Sequence, residues 1–128
     1  MTPFGRKIRD LRAARGILLK DMAAALRVTP AYLSALEHGR RGRPSWRLVQ
    51  AIIGYFNVIW DEAEEIERLA RLSHPRIVID TSGLDPRATE LANRLSEEIA
   101  HLSGADIEKL LASLPQRRRR ASPRPRPA

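Results

Sequence analysis

The sequence predicts an all-α fold with a single short strand: a head of five helices, then the strand and two further helices, and a disordered Arg/Pro-rich tail. Two observations predict it: apolar residues recur every three to four positions through most of the chain, and residues typical of helix ends bracket these runs. Composition shifts then divide the chain into a head over residues 1–72, a region over 73–115 and a tail over 116–128.

Cap signals delimit the first three helices. Thr2-Pro3 and Thr29-Pro30 each place an N-cap hydroxyl before a proline, and they predict helices over 3–15 and 29–38. Gly16 and Gly39 are expected to end these helices. Between them, residues 18–26 predict a short second helix with one apolar face, formed by Leu18, Met22, Ala23 and Leu26.

The fourth and fifth helices complete the predicted head. Pro44-Ser45 starts the fourth helix, whose two apolar stripes indicate burial on two sides, one with Leu48, Ile52 and Phe56 and one with Trp46, Val49 and Ile53. Core or interface packing is favoured over base stacking for both Trp46 and Trp60. Asp61 is expected to cap the fifth helix, 61–72, with an inner face of Ala63, Ile66, Leu69 and Ala70.

The region after the head predicts self-association. A strand is expected at 76–81, between Pro75 and Gly83, and a lone strand would leave its backbone groups unpaired. Two amphipathic helices follow, 86–102 behind Asp85 and 104–114 behind Ser103. We expect a homodimer, with a monomer as the alternative. The residues expected at the dimer contact are Ile77, Val78, Ile79, Leu91, Leu95 and Ile99.

Charge divides the chain in the same places and limits its partners. Residues 1–56 carry 11 Lys+Arg against three Asp+Glu, residues 57–115 carry six against 12, and residues 116–128 carry six arginines and no acid. A basic head favours a polyanion as partner. The tail is either a solubilising end or a phosphate-binding arm. There is no cysteine and no long apolar run, so a disulfide framework and a membrane partner are not expected.

A motif in the head resembles a known family. Residues 17–39, ILLKDMAAALRVTPAYLSALEHG, are similar to the helix-turn-helix of XRE-type regulators, the family of lambda repressor and Cro, and the resemblance extends over about 3–72. It implies a lambda-repressor-like DNA-binding head and a bacterial or phage origin. Arg27 stands at a turn position that is often a left-handed glycine in this family, where a side chain costs about 1 kcal/mol.

The resemblance implies which residues meet DNA. The helix over 29–38 would enter the major groove, and its base-facing residues are Thr29, Ala31, Tyr32, Ser34 and Ala35. This set has no Gln, Asn or Arg for a bidentate base contact, so part of the specificity is expected either from Arg40, Arg41 and Arg43 beside the groove or from DNA shape. Phosphate contacts are expected from the loop arginines and the amides that start the fourth helix, namely Arg40, Arg41, Arg43, Ser45 and Trp46.

Together these features predict a cytoplasmic, nucleoid-associated, sequence-specific double-stranded DNA-binding regulator of transcription. The expected form is a homodimeric repressor bound to an inverted repeat. Neither a catalytic constellation nor a metal, cofactor or small-molecule site is recognisable, so an enzyme is not expected. Two alternatives stay open: a protein-interaction module, such as an antitoxin or adaptor, with secondary DNA binding, and an architectural or RNA-associated protein that uses the tail.

Overall fold

A computed structural model describes residues 1–116, which form α-helices joined by short loops and one longer irregular segment. The helices, α1 to α7 in chain order, are Pro3–Arg15, Leu19–Leu26, Pro30–Glu37, Trp46–Phe56, Trp60–Arg71, Pro86–Glu98 and Gly104–Ser113, and a 3-10 turn, Ile99–His101, follows α6. The chain divides into two compact units, Met1–Val78 and a second that begins at Ile79. The prediction of a disordered tail falls on residues outside the described part of the chain, apart from Gln116.

Hydroxyl groups cap three helices of the first unit, which confirms the caps predicted at Thr2 and Thr29 and adds one at Ser45. The side-chain oxygens of Thr2, Thr29 and Ser45 accept hydrogen bonds from the amides three residues on, at 2.9, 3.0 and 3.1 Å. Gly16 ends α1 in the left-handed conformation, with φ 64°. Hydroxyl caps form because the bond joins groups only three residues apart, so these helix starts follow from the local sequence.

One face of each helix from α1 to α5 contributes to a single core. Its buried apolar residues are Phe4, Ile8, Leu11, Met22, Ala23, Leu33, Leu36, Val49, Ile52, Phe56, Val58, Ile66 and Ala70. Leu48 and Ile53 pack half-buried against this core, which confirms that α4 is covered on two sides. Neither tryptophan lies in this core, because the exposed fraction is 69% for Trp46 and 81% for Trp60; of the predicted core or interface packing, the interface remains a prediction.

Bonds between distant residues fix α1 against the ends of α3 and α5. The Thr2 amide donates to the Glu37 carbonyl at 3.1 Å, and the Phe4 amide donates to the Ser73 hydroxyl at 2.8 Å. Gly5 lies against the backbone of Glu37, where an added Cβ would overlap the carbonyl group. The last turn of α3 is therefore held in place through its own backbone.

Three predictions from the sequence are wrong: where the fifth helix begins, whether a strand forms, and where the sixth helix ends. Helix α5 begins at Trp60, behind Ile59, and Asp61 lies in its first turn instead of capping it. No strand forms within residues 1–116, because a strand needs a hydrogen-bonded neighbour and no other described segment pairs with residues 76–81. The sixth helix is α-helical only as far as Glu98, and the 3-10 turn carries it to His101.

The second unit consists of α6, the 3-10 turn and α7, and its helices bury none of their residues. Asp85 and Ser103 cap α6 and α7 as expected, accepting from the amides of Arg87 and Asp106 at 2.8 and 3.1 Å. The large apolar side chains that this unit leaves exposed are Ile79, Leu84, Leu91, Ile99, Ile107, Leu110, Leu111 and Leu114.

Candidate nucleic-acid interface

Helices α2 and α3 form a compact pair whose crossing depends on one small residue. Ala23 is fully buried between them, with 0% exposure, and its methyl group allows the two helix axes to approach. Arg27 adopts the left-handed conformation, with φ 59°, in the turn between the helices. Val28 packs half-buried against the core just after it. The turn thus has the left-handed geometry expected from the sequence, built on an arginine.

The outward face of α3 contains most of the predicted base-facing residues. Leu33 and Leu36 point into the core, which leaves the opposite side of the helix to solvent. Thr29 and Ala31 are exposed, Ser34 and Ala35 are half-buried beside them, and Pro30 is also exposed. A continuous surface at the N-terminal end of α3 is therefore available to a large ligand.

His38 extends this face and was not predicted from the sequence. It is exposed, it follows Ala31 by seven residues, and its Nδ1 lies 2.8 Å from the carbonyl oxygen of Ser34. Since the carbonyl can only accept, Nδ1 carries the proton in this bond, and no hydrogen bond within residues 1–116 uses Nε2. The spacing of seven residues was the signal that could have identified it.

Thr29 has two roles on this face. Its side-chain oxygen accepts from the Tyr32 amide at 3.0 Å, so the hydroxyl caps the helix. The hydroxyl hydrogen is not used in that bond and is free to donate outward. Tyr32 is half-buried at the rim of the face, with its ring beneath the guanidinium of Arg41, whose Cζ lies 5.5 Å from the ring centroid.

The loop after α3 supplies the positive charge. Arg40, Arg41 and Arg43 are all exposed, and within residues 1–116 the three make no ion pair. The stack of Arg41 on Tyr32 was not predicted, because it depends on how the loop folds back. Positive charge concentrated in this way beside α3 raises the local concentration of a polyanion.

The start of α4 adds amide donors to this loop. Ser45 accepts from the Leu48 amide at 3.1 Å, which leaves the amides of Trp46 and Arg47 without partners in the helix. Trp46 and Arg47 are exposed, and the charge of Arg47 was not assigned a role from the sequence. Helix starts of this kind bind phosphate oxygens.

Two other basic residues of the head are engaged within the chain. Arg6 Nε lies 3.7 Å from Asp10 Oδ1, and Lys7 Nζ lies 3.6 Å from Glu62 Oε1. These ion pairs favour a solvated charged face for this part of α1. The loop arginines and the start of α4 are therefore the better candidates for phosphate contacts.

None of the helices in residues 1–116 is long and apolar enough to cross a membrane. The same residues contain no group of three or more His, Cys, Asp and Glu placed to hold a metal ion.

Comparison with known proteins agrees with this geometry. A family model described as a helix-turn-helix domain matches residues 3–69. The chain is 26% identical over 121 residues to the uncharacterized HTH-type transcriptional regulator RghRB of Bacillus subtilis (strain 168), covering 86% of this chain and 87% of that protein. It is 37% identical over 62 residues to the HTH-type transcriptional regulator DdrOP3 of Deinococcus deserti, covering 48% and 47% of the two chains.

Proposed function

The chain belongs to the helix-turn-helix domain family and is a DNA-binding transcriptional regulator, and we propose that it acts as a sequence-specific homodimeric repressor on an inverted repeat. One observation carries the proposal: the exposed N-terminal face of α3 lies next to a loop with three exposed arginines. A protein with this task works in the bacterial cytoplasm, where the chromosome lies.

Base reading is assigned to the exposed face of α3. The methyl groups of Ala31 and Ala35 suit contact with thymine methyls, and the hydroxyls of Thr29, Tyr32 and Ser34 suit hydrogen bonds to base edges. All five residues lie on or beside the outward face described above. Helix α3 would lie in the major groove with its N-terminal turn toward the bases.

Phosphate contact is assigned to the residues that flank α3. Arg40 and Arg43 are exposed in the loop, and the Ser45 cap leaves the first amides of α4, near Trp46, free to donate. Arg41 belongs to the same basic loop. Such contacts fix the orientation of the protein on the duplex and make affinity fall with salt, but they carry no sequence information.

Dimerisation is assigned to the exposed apolar residues that follow the head. Ile77, Val78 and Ile79 are 69%, 96% and 56% exposed, and Leu91 and Ile99 of the second unit are 61% and 56% exposed, with Leu95 half-buried between them. Large apolar side chains that are exposed together in one patch mark a site of contact with another protein surface. A second copy of the chain satisfies both this need and the two-fold symmetry of an inverted repeat.

The test is selection of bound sequences from a random duplex library by the full chain. We expect an enriched inverted repeat for the wild type, and an altered motif for Ala31→Leu, which changes only apolar shape on the α3 face. Ala14→Leu, at an exposed position of α1, is the matched control and should select the wild-type motif. Salt-sensitive binding with no motif would contradict sequence-specific recognition.

A protein-interaction module is the second candidate, favoured by the exposed apolar residues and the acidic charge of residues 57–115. Sedimentation equilibrium separates it from the homodimer. The full chain should sediment as a dimer, and Leu91→Asp/Ile99→Asp should sediment as a monomer with weaker operator binding. A wild-type monomer that forms a stoichiometric complex with a different protein would favour the interaction module.

A further inference from the structure

We propose that Arg41 is a specificity-determining residue, held by the ring of Tyr32 so that its guanidinium reads a guanine at the edge of the sequence contacted by α3. The proposal rests on the proposed function and refines it. The sequence predicted phosphate contacts for all three loop arginines and left open that they contribute to specificity; the inference assigns base reading to Arg41 alone.

Helix α3 lacks side chains that distinguish one base strongly from another. The base-facing side chains of α3 are hydroxyls and methyls, and none of them makes the bidentate contact that distinguishes guanine or adenine from other bases. Reading by hydroxyls and methyls alone discriminates G·C pairs weakly. Strong discrimination therefore requires a donor from outside the helix or a contribution from DNA shape.

Arg41 is placed to supply that donor. Its guanidinium Cζ lies 5.5 Å from the ring centroid of Tyr32, a residue in the first turn of α3 whose amide is tied to the Thr29 cap. The contact couples a loop side chain to the reading end of the helix. In residues 1–116 the other cation-π contact is Arg15 over Phe56, remote from this face, so Arg40 and Arg43 have no such support.

The contact with Tyr32 also leaves the N–H donors of the Arg41 guanidinium free. A cation-π contact does not occupy the N–H donors of a guanidinium in the way that an ion pair or a hydrogen bond would. No hydrogen bond or ion pair within the described residues uses the Arg41 side chain. The planar fork of an arginine matches O6 and N7 of guanine, and the contact with the Tyr32 ring reduces the rotamer freedom that binding would otherwise remove.

The experiment measures the affinity of the full chain for its selected operator and for unrelated duplex, at several salt concentrations. Arg41→Ala is expected to weaken operator binding roughly 5- to 150-fold and to relax the motif at one G·C position per half-site, with a much smaller effect on unrelated DNA. The matched control Arg40→Ala should weaken both duplexes equally and reduce the salt slope by about one unit.

A second comparison tests the role of the ring. Tyr32→Phe keeps the aromatic face without the hydroxyl, and Tyr32→Leu removes both. Adding Arg41→Ala should reduce operator affinity strongly in the phenylalanine background and only slightly in the leucine background. Since Tyr32 is half-buried, thermal unfolding of both variants is measured first; Arg41 is exposed, so Arg41→Ala alone tests the main point even if Tyr32→Leu unfolds.

Two outcomes would overturn the inference while leaving the proposed function intact. If Arg41→Ala weakens operator and unrelated DNA equally and lowers the salt slope, Arg41 binds phosphate. If Arg41→Ala leaves the operator affinity and the motif unchanged, Arg41 does not contact DNA. A wild-type protein that selects no motif at all would instead contradict the proposed function itself, and the inference with it.

Discussion

Replacing Arg12 by leucine should strongly destabilise the first unit, because Arg12 neutralises a buried carboxylate. Its Nη2 donates to both carboxylate oxygens of Glu37, at 2.9 and 3.0 Å, and the two side chains are only 12% and 3% exposed. Breaking a buried pair from one side costs about 3–5 kcal/mol. Since 1 kcal/mol lowers the Tm of a domain of this size by about 4–8 °C, we expect Tm to fall by at least about 12 °C.

The assay is thermal and urea unfolding followed by circular dichroism, with two comparison proteins. Arg9→Leu changes an exposed arginine of the same helix and should shift stability by at most about 0.5 kcal/mol. Arg12→Leu/Glu37→Leu removes both charges and should recover most of the loss, because apolar replacement of a buried pair is often neutral or better. The reasoning is refuted if the double variant is no more stable than Arg12→Leu, or if Arg12→Leu behaves like Arg9→Leu.

Three further predictions concern backbone and cap geometry. Gly5→Ala should destabilise the first unit by about 1–3 kcal/mol in urea unfolding, since the new Cβ overlaps the Glu37 carbonyl group; unchanged stability would contradict this contact. Arg27→Gly should raise the free energy of unfolding by about 1 kcal/mol, because φ is 59° there, and a lower urea midpoint would contradict it. Hydrogen bonds from the Arg87 side chain and amide lower the pKa of Asp85. The ionised Asp85 cap therefore stabilises α6 fully above the ordinary aspartate pKa of about 3.9. This stabilisation is lost as the pH falls through the lowered pKa. The NMR shift of the Arg87 amide should follow this titration, and it should not titrate in Asp85→Asn.

The sequence predicted the helices of the first unit because their signals are local. Thr2, Thr29 and Ser45 bond to amides three residues away, so each start could be predicted without knowing the rest of the fold. The same reasoning predicted the wrong start for α5. Asp61 is a typical cap residue, but Ile59 holds that position without a side-chain bond, and Trp60 begins the helix with φ 52°.

The strand was predicted from composition and does not form in residues 1–116. A run of β-branched residues satisfies its backbone only beside another strand, and sequence cannot supply that neighbour. The periodicity of α4 likewise placed Trp46 in an apolar stripe, yet its position in the first turn leaves it 69% exposed. Periodicity identifies a face of a helix, but not how far the covering elements extend along it.

The sequence by itself determined the helical segments of the head, the apolar face of each, the basic loop after α3 and the family resemblance. These features depend on groups within about four residues of each other or on composition. Only the tertiary structure decided the contacts that orient α3. Arg12 and Glu37, which join α1 to α3, are 25 residues apart. Thr2 and Glu37 are likewise distant in the sequence, yet the Thr2 amide donates to the Glu37 carbonyl. Their contacts, like the stack of Arg41 on Tyr32, form only because a shared core brings distant segments together.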